Sequence, residues 1–225
     1  MLYALIGFAF GCYIPYVARR FAKFMPATFA YALVEIFRAG KRLSAAKRQE
    51  ERYRKLKNKF LWRSFMFGIV TSVLSFAAFL HFGDVEIYWH LFFIWSLLLM
   101  TEIDWRMFLL PDILTIPLLI FGFVYSAFIG DWTFAADSAA GALLGYFMPV
   151  MASLALVWKN KDMFGGGDIK LLAAIGAWFG VEKLIYTILL SVILFALQSI
   201  VLRQRSGAYG PAAAISAIVI AFYFF

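Results

Sequence analysis

The chain has 225 residues, 64% of them hydrophobic and 20% aromatic, with a formal net charge of +8 and a mean hydropathy of +0.83. That composition excludes a water-soluble globular domain. The positive charge crowds between Arg19 and Arg63, which reads as a basic loop beside anionic lipid and argues against a nucleic-acid partner.

The first apolar run, 1–18, meets Arg19 and Arg20 at its end. Charge after the run, with none before it, predicts a retained first span and not a cleaved leader. Residues 19–59 are the one long polar insertion, and "FRAGKRLSAAKRQEERYRKLKNK" within it reads as a charged, solvated helix on a cytoplasmic loop. Further apolar runs lie near 60–80, 87–103, 111–129, 136–158, 169–180, 184–202 and 208–225. The run 169–180 makes only about 18 Å of helix, short of a hydrocarbon core of about 30 Å. It is either a half-helix or the start of 184–202, broken at "GVEK".

The expectation is an all-α polytopic integral membrane protein of about eight transmembrane or half-spanning helices, with residues 60–225 as its membrane core. Membrane lipid is its first partner. Placing the N-terminus outside gathers Arg19 to Arg63, Arg106, Lys159, Lys161, Lys170, Arg203 and Arg205 on the cytoplasmic face. The other face keeps Lys183 among Asp84, Glu86, Asp131, Asp137 and Glu182, so the basic residues predict that orientation. A single cysteine, Cys12, excludes an internal disulfide and a C-x-x-C zinc knuckle. His81 and His90 show no ligand spacing, and no metal site is expected.

Two aspartates return to one membrane face. Asp104 closes the third run, and Asp168 follows three glycines in "MFGGGDIK", one outward and one inward crossing later. Two carboxylates at one depth can share a proton and a water, the arrangement of acid–base peptide hydrolysis. Blander roles exist for each. Asp168 can cap a helix starting at Ile169, and Asp112, just after Pro111 at a helix start, suits the helix dipole. Intramembrane carboxylates also suit a small proton-coupled transporter, although no internal repeat is visible. A membrane assembly protein with a basic loop is the third class.

Longer motifs separate these readings. "EIDWRMFLLPDILTIPLLIFG", "GGGDIKLLAAIGAWFG" and "YGPAAAISA" together resemble the bacterial type IV prepilin peptidases, G-x-G-D aspartic proteases of the cytoplasmic membrane. The clear resemblance covers about 90–225, with a looser echo in "GFAFGCYIPYVARRF". It implies Asp104 and Asp168 as catalytic residues, and Pro111, Asp112, Lys170, Gly210 and Pro211 as structural support. Gly165, Gly166 and Gly167 would let an extended substrate backbone approach Asp168. The implied activity is removal of short basic leaders from prepilins or pseudopilins at the cytoplasmic boundary, with no cofactor; preflagellin-type and signal-peptide peptidases share the aspartate pair and differ in substrate. The oligomeric state stays open. Family members also N-methylate the new terminus with S-adenosylmethionine, an activity associated with the N-terminal region. That region is divergent here: the two C-x-x-C pairs are absent and Pro15 stands where the family has asparagine. S-adenosylmethionine is therefore expected only if methylation is retained.

Overall fold

A computed structural model describes residues 1–24, 50–82, 86–129, 132–157, 165–203 and 207–225. Most of the loop expected at 19–59, together with Lys159, Lys161 and Asp131, lies outside the described residues. Among the described residues the protein is all α, without strands. Its helices are α1 (Leu2–Phe24), α2 (Glu50–Phe82), α3 (Ile87–Met107), α4 (Asp112–Phe128), α5 (Ala135–Val157), α6 (Gly166–Leu202) and α7 (Gly210–Phe224). Leu2–Phe21, Asn58–Phe82 and Gly166–Leu202 are long and apolar enough to cross a bilayer. The chain is an all-α polytopic membrane protein.

It forms two compact units, Met1–Leu91 and Phe92–Phe225. In the first, α1 packs on α2 along small residues. A Cβ at Gly11 would meet Thr71 Oγ1 at 2.7 Å, and one at Gly68 would meet Cys12 Sγ at 2.6 Å. Lipid tails give no hydrophobic drive between helices, so backbones held close by such residues supply the packing energy.

The second unit is built around the front half of α6. Every residue from Leu171 to Gly180 is buried, enclosed by α4, α5 and α7. A helix apolar on all sides belongs in a core. This explains how a segment too short for the bilayer is stable: its surroundings are protein. Trp178 anchors it, donating from Nε1 to the Leu118 carbonyl at 2.9 Å and packing on Phe93 and Tyr125 with ring centroids 5.0 and 5.1 Å apart. Two small-residue pairs, Gly141/Gly145 on α5 and Gly176/Gly180 on α6, bring those backbones together.

The runs 169–180 and 184–202 are joined into one helix with a kink at Gly180, where φ is 73° and ψ −172°. Only glycine occupies that region without large strain. The turn interrupts helical bonding, and the start of α5 supplies partners for the freed groups. Ser138 Oγ donates to the Ala177 carbonyl at 2.6 Å, and the Val181 N–H donates to Asp137 Oδ1 at 3.3 Å. Thr133 Oγ1 holds the other oxygen of Asp137 at 2.9 Å. The kink leaves about 33 Å of helix after Gly180, enough to span.

Candidate active site

Four segments of the second unit meet around the two aspartates. Asp104 stands in the last turn of α3, where the carbonyl end of the helix disfavours a negative charge. It is nevertheless 3% exposed. Its compensation comes from another helix: the Gly210 N–H, at the start of α7, donates to Asp104 Oδ2 at 2.8 Å. The carboxylate thus sits at a helix N-terminus, where backbone donors and the dipole favour an anion. Pro211 follows at the helix start, where its missing N–H costs nothing.

Asp168 lies in the first turn of α6. The helix begins at Gly166 with Gly165 as its N-cap, so Asp168 is inside the first turn and does not cap a helix at Ile169. The Gly165 N–H donates to its carboxylate, and Asp104 is close enough for the two charges to interact. Each aspartate is therefore held by a backbone amide, and each faces the other's field.

The link between α3 and α4 is the floor on which α6 starts. A Cβ at Gly167 would lie 2.8 Å from Leu110 Cβ and 3.1 Å from the Leu110 carbonyl oxygen. The bare side of Gly167 is thus filled by protein, whereas nothing lies within 4 Å of a Cβ at Gly166. Gly165 and Gly166 are exposed. Of the three glycines expected to face a substrate, Gly166 remains open, Gly165 borders the Asp168 carboxylate and Gly167 seats the helix. Pro111 is the N-cap of α4, extended at φ −75° and ψ 137°, and Asp112 is the first helical residue. Asp112 Oδ1 accepts from Lys170 Nζ at 2.6 Å, both side chains being half exposed. An exposed pair of this kind contributes little energy. It does tie the α4 start to the α6 start, two residues from Asp168.

Several neighbours were not singled out by residue type or spacing. Phe108 takes a left-handed φ of 52° just past α3, its N–H donating to the Asp104 carbonyl at 2.9 Å. With Trp105, Gln198 and Ala208 it lines a cavity of about 120 Å³. Glu102 is 1% exposed and accepts from Arg106 Nε at 2.6 Å. Tyr209, 6% exposed, shares a 2.5 Å hydrogen bond with Ser191 Oγ. Tyr209 lies inside the "YGPAAAISA" motif, so a signal existed for it. Ser191 and Gln198 stand in an ordinary apolar run with none.

Fold and site together define a polytopic helical membrane protein that gathers two buried or half-buried aspartates at helix termini. Residues 91–200 match the model of the type IV leader peptidase family. Among its relatives is the prepilin leader peptidase/N-methyltransferase of Pseudomonas putida, 39% identical over 120 residues, 52% of this chain and 41% of the relative. The protein of the same name from Pseudomonas aeruginosa is 37% identical over 150 residues, 63% of this chain and 50% of the relative. That from Legionella pneumophila is 33% identical over 165 residues, 68% and 56% of the two chains. The chain spans about half the length of the curated relatives it matches. No solved structure matches it.

Proposed function

We propose that the protein is a membrane aspartic endopeptidase that removes the basic leader from type IV prepilins or pseudopilins. The observation that carries this is the convergence of Asp104 and Asp168, each held by a backbone amide and each within reach of the other's charge. Two such carboxylates share a proton, because ionising both in a dry site is opposed by their repulsion. The ionised one takes a proton from the attacking water. The protonated one donates to the scissile carbonyl, and the proton then passes to the leaving amine. The pair titrates as a unit, so the roles belong to the pair and not to one residue. Gly166 offers open backbone near Asp168 for an extended peptide, and exposed Gly165 borders the carboxylate itself.

The site is read as facing the cytoplasm in the bacterial inner membrane, with the N-terminus outside. Supporting this, Arg106 and Lys170 lie at helix ends within two residues of the aspartates in the chain, whereas Lys183 accompanies Asp137 and Glu182 at the opposite turn. The charged leader then stays inside while the apolar stem enters the bilayer. No observation favours proton-coupled transport or an assembly role.

The relatives' names also carry N-methyltransferase activity. The matching region here would be α1, whose Gly7 and Gly11 face Ser75, Phe67 and Thr71 of α2 with no room for a Cβ. Those glycines form a helix seam and no nucleoside cradle, so S-adenosylmethionine enters no step of this mechanism.

The test is a mutant cycle on the membrane-inserted protein with a type IV prepilin as substrate. Asp104→Asn, Asp168→Asn and the double variant should lose similar, very large factors in cleavage rate, far from multiplicative, because both groups act in one transition state. Near-normal processing by either correctly inserted single variant would remove that residue from the site.

A further inference from the structure

The Gly210 N–H that holds Asp104 is itself held. Tyr209 precedes it as the N-cap of α7, and its hydroxyl meets Ser191 Oγ on the long second half of α6. Ser191 Oγ also donates its one proton to the Ile188 carbonyl at 2.8 Å. A serine hydroxyl has a single proton to give, so in the Tyr209 contact the tyrosine is the donor and Ser191 the acceptor. The tyrosine ring rests edge-on against Phe195 at 5.7 Å. One residue earlier, the Ala208 carbonyl accepts from Gln198 Nε2 at 3.2 Å. The entry to α7 is thus pinned to α6 by two side-chain hydrogen bonds, both buried or half-buried, immediately before Gly210 reaches Asp104.

We propose that Tyr209, donating to Ser191, is a positioning residue: it sets the Gly210 amide, and through it the Asp104 carboxylate, at the orientation the reaction needs. The inference rests on the aspartate pair proposed above and adds a residue that acts through the Gly210 amide. Its physical basis is length of reach. The Gly210 amide has no side chain of its own to be held by. The described ties that fix it laterally are those of Ala208 and Tyr209. The Tyr209 tie runs to the part of α6 beyond the Gly180 kink, whereas Asp168 stands on the part before it. Tyr209 therefore couples Asp104 to one half of α6 while its partner carboxylate is carried by the other. The spacing of the pair follows from the kink and from this tie together.

Tyr209→Phe removes the donor and keeps the ring against Phe195; Ser191→Ala removes the acceptor. In the solubilised full chain cleaving a type IV prepilin, each should lower kcat about ten- to a hundredfold, the scale of a misplacement near 1 Å. KM should stay within about twofold, because the tie acts on the carboxylate and not on peptide binding. The double variant should be no slower than the slower single, since both remove one bond. Ser216→Ala, which deletes a buried hydroxyl bonded only one turn back on α7 to the Ala212 carbonyl, should leave kcat unchanged. A Tyr209→Phe enzyme with kcat within about twofold of wild type overturns the inference. So does a variant whose loss lies only in the amount of folded protein or only in KM. Asp104→Asn run beside them separates the two readings: if it abolishes cleavage while Tyr209→Phe does not, the positioning role alone fails. If Asp104→Asn cleaves normally, both readings fall.

Discussion

Gly210→Ala tests the Asp104 site. Gly210 begins α7 directly before Pro211, where the proline ring crowds a preceding Cβ, so alanine gains no helix propensity there. The cost is local. The new Cβ would stand 2.7 Å from Asp104 Oδ2, 3.0 Å from Cγ and 3.1 Å from Cβ. The first of these is short of ordinary contact by about 0.7 Å. The carboxylate must swing away by about that distance or the helix start must back off by it, and either lengthens the 2.8 Å bond from the Gly210 N–H. A displacement approaching 1 Å at a reacting group costs on the order of a hundredfold in rate. We expect kcat for prepilin cleavage to fall by about ten- to a hundredfold, with thermal stability in detergent at or somewhat below wild type. Initial rates normalised to folded protein, beside a thermal unfolding curve, give both quantities. A kcat within about twofold of wild type, at unchanged stability, would refute the close coupling of Gly210 to a catalytic Asp104.

Gly180→Ala forces a side chain into a positive-φ turn and into Asp137 and Thr133, and should cost about 2–4 kcal/mol of stability; an unchanged unfolding midpoint would contradict the kink. Asp112→Asn and Lys170→Met should each keep most peptidase activity, with a coupling energy below about 1 kcal/mol for so exposed a pair. Abolished cleavage in a folded Asp112→Asn protein would make Asp112 the partner of Asp168 in place of Asp104. In a Cys12→Ser background, cysteines at Ser44 and Lys161 should resist an impermeant reagent added outside intact cells, and one at Asp131 should react; labelling at Ser44 would reverse the orientation. Chelation should leave leader cleavage by purified protein unchanged, and inhibition reversed by zinc would reveal a metal site.

Much of the architecture follows from local physics that a sequence displays directly. Apolar runs of bilayer length must be helical, because unpaired backbone groups cannot be left in hydrocarbon. The helices at 2–24, 87–107, 112–128, 135–157 and 210–224 accordingly lie within a few residues of the runs that announce them. Asp104, Asp168 and the glycines beside the latter were legible for a different reason: each belongs to a long motif in which residue type and spacing are both unusual. What the linear pattern left open was settled by contacts between residues distant in the chain. Hydropathy presented 169–180 as a span too short to cross. Tertiary structure made it a buried central helix, continuous with 184–202 because Asp137 and Ser138, some 40 residues earlier, satisfy the groups freed at Gly180. Gly165, Gly166 and Gly167 are equivalent as letters, yet Leu110 fills the space beside one and leaves another open. Asp104 carries no mark in its own helix of the amide that holds it, which arrives from Gly210, 106 positions away. Periodicity and motif are properties of neighbours along the chain; which donor meets which carboxylate depends on how the helices pack, and only the folded chain decides that.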